Sequence, residues 1–196
     1  MAEPEIRGAT VDDAEEVGRI LGAAFDDNPI INWIVRTDER RGWAIETLFR
    51  EVGRYEYLPG GKCHITADCT GATLWRAPGV PERNDPRLGA IFEEIVGDNA
   101  DHSRVLGEVM DAHHPAEEHF YLLGIGVLPG GQGGGVGSAL IRTVLDRCDR
   151  ERIPAYLENS KERNLPFYER HGFVVRERIE LPDGGPPLWP MWRNPR

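Results

Sequence analysis

The run Phe120 to Leu140, FYLLGIGVLPGGQGGGVGSAL, constrains this chain more than any other stretch. Phe120 to Val127 carries no charge and reads as a strand buried on both faces. From Val136 the apolar residues Val136, Ala139, Leu140, Val144, Leu145 and Cys148 recur at helical spacing. Between the two lie Gly130, Gly131, Gly133, Gly134, Gly135 and Gly137. A glycine-rich turn from a buried strand into a helix gathers free backbone N–H groups at the positive helix end, an arrangement suited to phosphate.

Two familiar phosphate loops do not fit. A Walker A loop needs Gly-x-x-x-x-Gly-Lys-Ser/Thr, and no lysine occurs between Lys62 and Lys161. A dinucleotide fingerprint needs Gly-x-Gly-x-x-Gly, which no frame of 130–137 supplies. The register Gln132-x-x-Gly135-x-Gly137, following Val127-x-Pro129, resembles instead the pyrophosphate loop of the GNAT superfamily of acetyl-CoA-dependent N-acetyltransferases. On this motif alone, a glycine loop without a ligand stays open as the alternative.

With 196 residues the chain is expected to form one domain spanning 1–196. It lacks an apolar segment of about 18 residues, the length a membrane span needs, and its acidic start is not a secretory signal. Cys63, Cys69 and Cys148 are odd in number and lack metal spacing, so a reduced, cytoplasmic protein is expected. The net charge of −10 argues against nucleic acid as a partner. It would suit a cationic amine substrate, although solubility explains it equally well.

Along the chain, Glu5 to Gly8 reads as a first strand, and Thr10-x-x-Asp13 as a capping box opening a helix that Asn28-Pro29 ends. Residues 30–37 read as apolar and irregular around Trp33, a substrate candidate whose structural alternative is the core edge. A second helix is expected to bury Trp43, Leu48, Phe49, Val52 and Tyr55, before a hairpin of Lys62 to Ala67 and Ala72 to Arg76. Residues 77–118 hold a proline-rich connector and two helices, an insertion between the third and fourth strands suited to walling a pocket. His113, His114 and His119 lack the ligand spacing of a metal site, so no metal is expected. After the central helix, Ile153 to Glu158 reads as a parallel strand, Asn164 to His171 as a short helix, and Phe173 to Ile179 and Leu188 to Trp192 as strands. The pattern indicates a mixed α/β sheet of about seven strands flanked by helices.

A second motif strengthens the resemblance. Asn164, Phe167, Tyr168, Gly172 and Phe173 match the Asn-x-x-x-Tyr-like helix and Gly-Phe that often follow the fifth strand of GNAT enzymes. Within the superfamily the chain resembles the antibiotic-modifying subgroup represented by puromycin N-acetyltransferase. That similarity runs from Ala23-Ala24-Phe25 with Pro29 through Trp75, His113-x-Pro115, the glycine loop, Leu157-Glu158-x-Ser160 and Arg163 to Phe173. One departure is Gly134, where relatives place Lys or Arg.

The resemblance implies a GNAT fold, acetyl-CoA as cosubstrate and acetyl transfer to a primary amine of a small molecule, an aminonucleoside-like antibiotic among them. Cofactor contacts are then expected from Ile125, Val127, Gln132, Gly133, Gly134, Gly135, Val136, Gly137, Ser138, Asn164 and Phe167. An oxyanion donor is expected among the backbone N–H groups of 126–128. Tyr168 is implied as general acid for the leaving thiolate. Glu158 is the first candidate base and His114 a second, with a salt bridge from Glu158 to Arg163 as the structural alternative. Phe25, Asp27, Trp33, Trp75, His113 and His119 are candidate substrate contacts. A homodimer is among the assemblies the resemblance allows. A catalytically silent acyl-CoA-binding or partner-binding module and a protein or peptide N-acetyltransferase stand as alternatives.

Overall fold

The computed structural model describes residues 4–196. The strand β1 (Ile6–Gly8) pairs antiparallel with β2 (His64–Thr66), which pairs antiparallel with β3 (Gly71–Arg76). Between β1 and β2 run three helices. The Thr10 N–H donates to the Asp13 carboxylate at 2.8 Å, closing the expected capping box ahead of α1 (Ala14–Ala24). Residues 30–37 are not irregular throughout: α2 (Pro29–Ile34) forms there. Asn28 Oδ1 accepts the N–H groups of Ile30 and Ile31, and Pro29 supplies a first-turn φ, so Asn28-Pro29 ends one helix and starts the next. In α3 (Arg41–Val52) the apolar face is Ala44, Ile45, Leu48 and Phe49. Trp43 is exposed instead of buried, because its ring lies under the Arg40 guanidinium at 4.2 Å.

The expected insertion forms α4 (Pro86–Val96) and α5 (Ala100–His113). The chain then runs through β4 (Phe120–Val127), α6 (Val136–Glu151), β5 (Ala155–Asn159), α7 (Leu165–Arg170), β6 (Val174–Val175), β7 (Ile179–Glu180) and β8 (Pro187–Arg193). The sheet order is β1-β2-β3-β4-β5-β8-β6, with β7 on β8. The single strand expected over Phe173 to Ile179 is split into β6 and β7. Opposite Arg176 stands Pro190, which accepts an N–H at 2.8 Å and has none to return, so the ladder breaks there.

Helices cover both faces. On one, α1, α3 and the insertion pack against Leu74, Tyr121 and Tyr156; on the other, α6 packs against Trp75, Phe120, Leu122 and Leu157. Two glycines in β4 set how closely α1 sits. A Cβ on Gly126 would lie 2.7 Å from Ala24 Cβ, and one on Gly124 would touch the Phe25 ring at 3.5 Å.

β4 and β5 are parallel but paired only at Phe120–Ala155 and Tyr121–Tyr156. Just beyond, the register of β3 with β4 jumps from Trp75–Leu122 to Leu74–Gly124, which leaves Leu123 as an extra residue, a β-bulge. A bulge bends its strand and increases local twist. Here it coincides with the point where β4 leaves β5, and the two strands splay apart toward Val127 and Asn159.

Candidate active site

The splay opens a cleft whose far end is the glycine loop. Gly130, Gly133 and Gly135 have φ of 89°, 81° and 88°, the left-handed region in which a side chain is strained. These turns carry the chain from β4 into α6 without a side chain in the way. The first helical bond of α6 is Ala139 N–H to Gly135 C=O, so the N–H groups of Val136, Gly137 and Ser138 have no partner inside the helix. Gly137 is close-packed, 3.5 Å from the Phe167 ring if it bore a Cβ. Ser138 Oγ contacts His171 Nε2 at 3.1 Å.

A cavity of about 430 Å³ sits over this loop. Of the expected cofactor contacts, Ile125, Val127, Gln132, Gly133, Gly135, Val136, Gly137, Ser138, Asn164 and Phe167 line it; Gly134, between two left-handed glycines, does not. Its opposite wall carries Lys161, Arg163 and Arg170, cations that sequence reasoning missed. Lys161 and Arg163 follow β5 directly and Arg170 ends α7, a set of cations that could have been read as replacing the basic residue absent at Gly134. Asp27, expected to contact substrate, instead pairs with Lys161 and Arg163, which hold its carboxyl below the usual range. Glu158 therefore has no claim on Arg163.

The edge of β4 toward the splay is open. Leu128 N–H donates to Thr70 C=O at 2.8 Å, and antiparallel alternation directs the Gly126 and Gly124 N–H groups to β3 as well. The N–H groups of Ile125 and Val127 point the other way, into the cleft. Among 126–128, only Val127 thus keeps a donor for the cleft. Gln132 Nε2 donates to Val127 C=O at 3.2 Å and covers that acceptor.

A passage of about 60 Å³ lies in the splay itself, lined by Ala24, Ile125, Asn164 and Tyr168 from the loop side and by Phe25, Asn28, Leu123, Glu158 and Ser160 from the other. Tyr168 belongs to α7 and lines both the passage and the loop cavity; burial raises its phenol above the ordinary value, so it stays protonated. Beyond the passage is an apolar cavity of about 190 Å³ between α1–α3 and α5, with Phe25 on its wall as expected. Glu158 reaches it from β5. Its side chain is 5% exposed, and Oε1 has no hydrogen-bond partner among the described residues.

His114 stands behind Glu158, its Nδ1 3.8 Å from Oε1. It lines a third cavity of about 580 Å³ with His119, Glu117 and Tyr121, and Tyr121 also lines the apolar cavity. The other substrate candidates are elsewhere. His119 is buried against Tyr156 and Trp192, with Nδ1 at 2.6 Å from Glu117 C=O. His113 is exposed at the end of α5, bonded to Val109 C=O at 2.8 Å. Trp33 stacks on His102 at 4.5 Å, because α2 turns its ring toward α5. Trp75 is fully buried on the α6 side, since alternation along β3 sends it to the face opposite Leu74, beside Leu122 and Phe120.

A helix-start anion site, an open strand edge for an amide-bearing arm and three facing cations suit coenzyme A. Comparisons with known proteins agree. The profile of the acetyltransferase (GNAT) family matches residues 84–173. The chain has the GNAT fold and is similar to acetyltransferases of that family. An uncharacterized N-acetyltransferase of Schizosaccharomyces pombe is 28% identical over 184 residues, covering 86% of this chain and 74% of that one. A solved Corynebacterium glutamicum structure, described as histone acetyltransferase HPA2 and related acetyltransferase, superposes with TM-score 0.77 at 26% identity, covering 100% of this chain and 98% of that one. A Drosophila melanogaster polyamine N-acetyltransferase shares the fold, with TM-score 0.68 at 12% identity over 98% of this chain and all of that one. The cosubstrate is acetyl-CoA. Among the described residues no helix is long and apolar enough to cross a membrane.

Proposed function

We propose that the acetyltransferase acetylates a primary amine of a small molecule, with the whole chain 1–196 acting as one domain and 77–118 as its insertion. The observation that carries this reading is the passage in the splay: Tyr168 and Glu158, from different elements, line the same opening between an anion-holding cavity and an apolar one. Bound acetyl-CoA would supply the acetyl thioester. Val136 to Ser138 would hold the pyrophosphate on their free N–H groups, with Arg163 and Arg170 facing it. Ile125 and Val127 would present N–H groups to the amide arm and to the thioester carbonyl, where one donor is worth about 3–4 kcal/mol.

Glu158 would bind the substrate ammonium and take its proton. The amine nitrogen then bonds to the acetyl carbon as the carbon–sulfur bond breaks, Tyr168 gives its phenolic proton to the departing thiolate, and the second proton leaving the nitrogen restores the phenol. A buried carboxylate oxygen without a partner is costly, and an ammonium is the group that relieves it. Two features favour a small acceptor over a protein one: Leu106 and Met110 of α5 wall the apolar cavity, and the passage is narrow. Tyr168 and Glu158 facing one passage favour turnover over a silent acyl-CoA-binding module. The resemblance to puromycin N-acetyltransferase makes an aminonucleoside-like antibiotic an acceptor to include. The buried thiols Cys63 and Cys148, both pushed up to about 12 by burial, fit a reducing compartment such as the cytoplasm. Sedimentation would read the homodimer that the resemblance allows.

The test is release of free CoA from acetyl-CoA across aminonucleosides, aminoglycosides, polyamines, simple amines and peptides. Turnover on small amines supports the reading; cofactor binding with no turnover on any amine supports the silent module, and peptide-only turnover the protein acceptor.

A further inference from the structure

The apolar cavity beyond the passage has hydrocarbon walls: Ile31, Ile34, Leu48, Phe49, Leu106 and Met110 supply most of them. Its polar groups are Asn28, Glu158 and Ser160, with the Tyr121 phenol at the septum. Asn28 is fully occupied. Its Oδ1 accepts two N–H groups of α2, and its Nδ2 donates to Ser160 Oγ at 2.7 Å. What remains for a ligand is one carboxylate at the passage, with the Ser160 O–H and the Tyr121 phenol near it, and apolar surface everywhere else.

That asymmetry selects among amines. Resting on the acetyl-transfer reading of the same cleft, we infer that the acceptor is a monoamine on a compact apolar body, branched or monocyclic aromatic. A polyamine would leave its second ammonium among Ile34, Leu48 and Met110 with no counter-charge, and an unpaired buried charge is prohibitive. An aminoglycoside would bury many more hydroxyls than Ser160, Tyr121 and Glu158 could bond. Size agrees: an apolar cavity of about 150 Å³ takes a benzene ring, so about 190 Å³ holds a ring with a short aminoalkyl arm. The arm points the nitrogen at Glu158, and the ring fills the space under α5.

The experiment is kcat/KM of the full chain with acetyl-CoA on linear alkylamines of rising length, phenylalkylamines, spermidine and an aminoglycoside. Each added methylene should raise kcat/KM about fourfold until the cavity is full, after which the value falls. Phenylethylamine should exceed spermidine by about a hundredfold or more, since the second ammonium has no partner. Met110→Ala should move the optimum toward longer amines by about one methylene; Leu106→Ala serves the same end if that variant does not fold. A flat series, or spermidine as the better substrate, overturns this inference and leaves amine acetylation standing. Acetyl-CoA binding by calorimetry with no turnover on any amine overturns both.

Discussion

Nδ1 of His114 lies 3.8 Å from Oε1 of Glu158, and the pair separates two different cavities. The carboxylate lines the apolar cavity and is 5% exposed; the imidazole, 38% exposed, faces the outer cavity. A proton taken by Glu158 therefore has a route out that does not pass the cofactor. Glu158→Gln should lower kcat by about a hundredfold or more, with acetyl-CoA affinity intact. His114→Asn should lower it by about tenfold, and added imidazole, which fits the outer cavity, should restore much of the loss. Steady-state kinetics check both. Wild-type turnover in Glu158→Gln would remove the carboxylate from the chemistry.

Gly135→Val tests the loop through its backbone. A Cβ there meets nothing within 4 Å, so no protein clash arises, but φ of 88° costs a side chain about 1–2 kcal/mol. Relaxing that strain turns the N–H groups of Val136 and Gly137 away from a common point. Calorimetry should find CoA binding weakened about tenfold or more, with the melting temperature lowered by about 2–8 °C. Gly134→Ala, at a position without positive φ, should bind nearly normally. Equal affinity in the two variants would detach the loop's geometry from the cofactor.

The order of elements, the loop and the Asn164–Tyr168 helix were legible because each rests on local chemistry: glycine dihedrals, helical spacing, caps. The positions of Trp33 and Asp27 were not legible because their partners, His102 for one and Lys161 and Arg163 for the other, are distant in sequence; His113 bonds back to Val109 C=O within its own helix. Trp75 lies on the α6 side by the alternation of β3, opposite Leu74, and nothing near residue 75 encodes which of the two faces borders the cleft. Asp27 is neutralised by Lys161 and Arg163, far along the chain. Trp43 looked apolar by period but answers to Arg40. The widening of β4 from β5 could be suspected only from the family resemblance; its cause, the extra residue Leu123, appears in the register.

His171 links pH to stability near the loop. Burial first, then Arg170, Arg142, Arg193 and Arg196, push its pKa down to about 4 from the usual 6.5. The unfolded chain thus binds the proton first, so stability is flat above about pH 6.5 and falls as the pH drops toward 4. Below the folded value no further loss comes from this group. Thermal unfolding followed across that window should show the decline in the wild type and a shallower one in His171→Gln. Identical slopes would mean the imidazole is not held neutral.

The most direct measurement is single-variant turnover of Tyr168→Phe, read as CoA released from acetyl-CoA with a phenylalkylamine. Its hydroxyl lines the passage and makes no hydrogen bond among the described residues, so its removal takes away a proton and little packing. The expected result is a fall in kcat of about tenfold or more, with acetyl-CoA affinity and melting temperature within error of the wild type. Near-normal turnover in Tyr168→Phe would contradict proton delivery from α7 to the splay between β4 and β5.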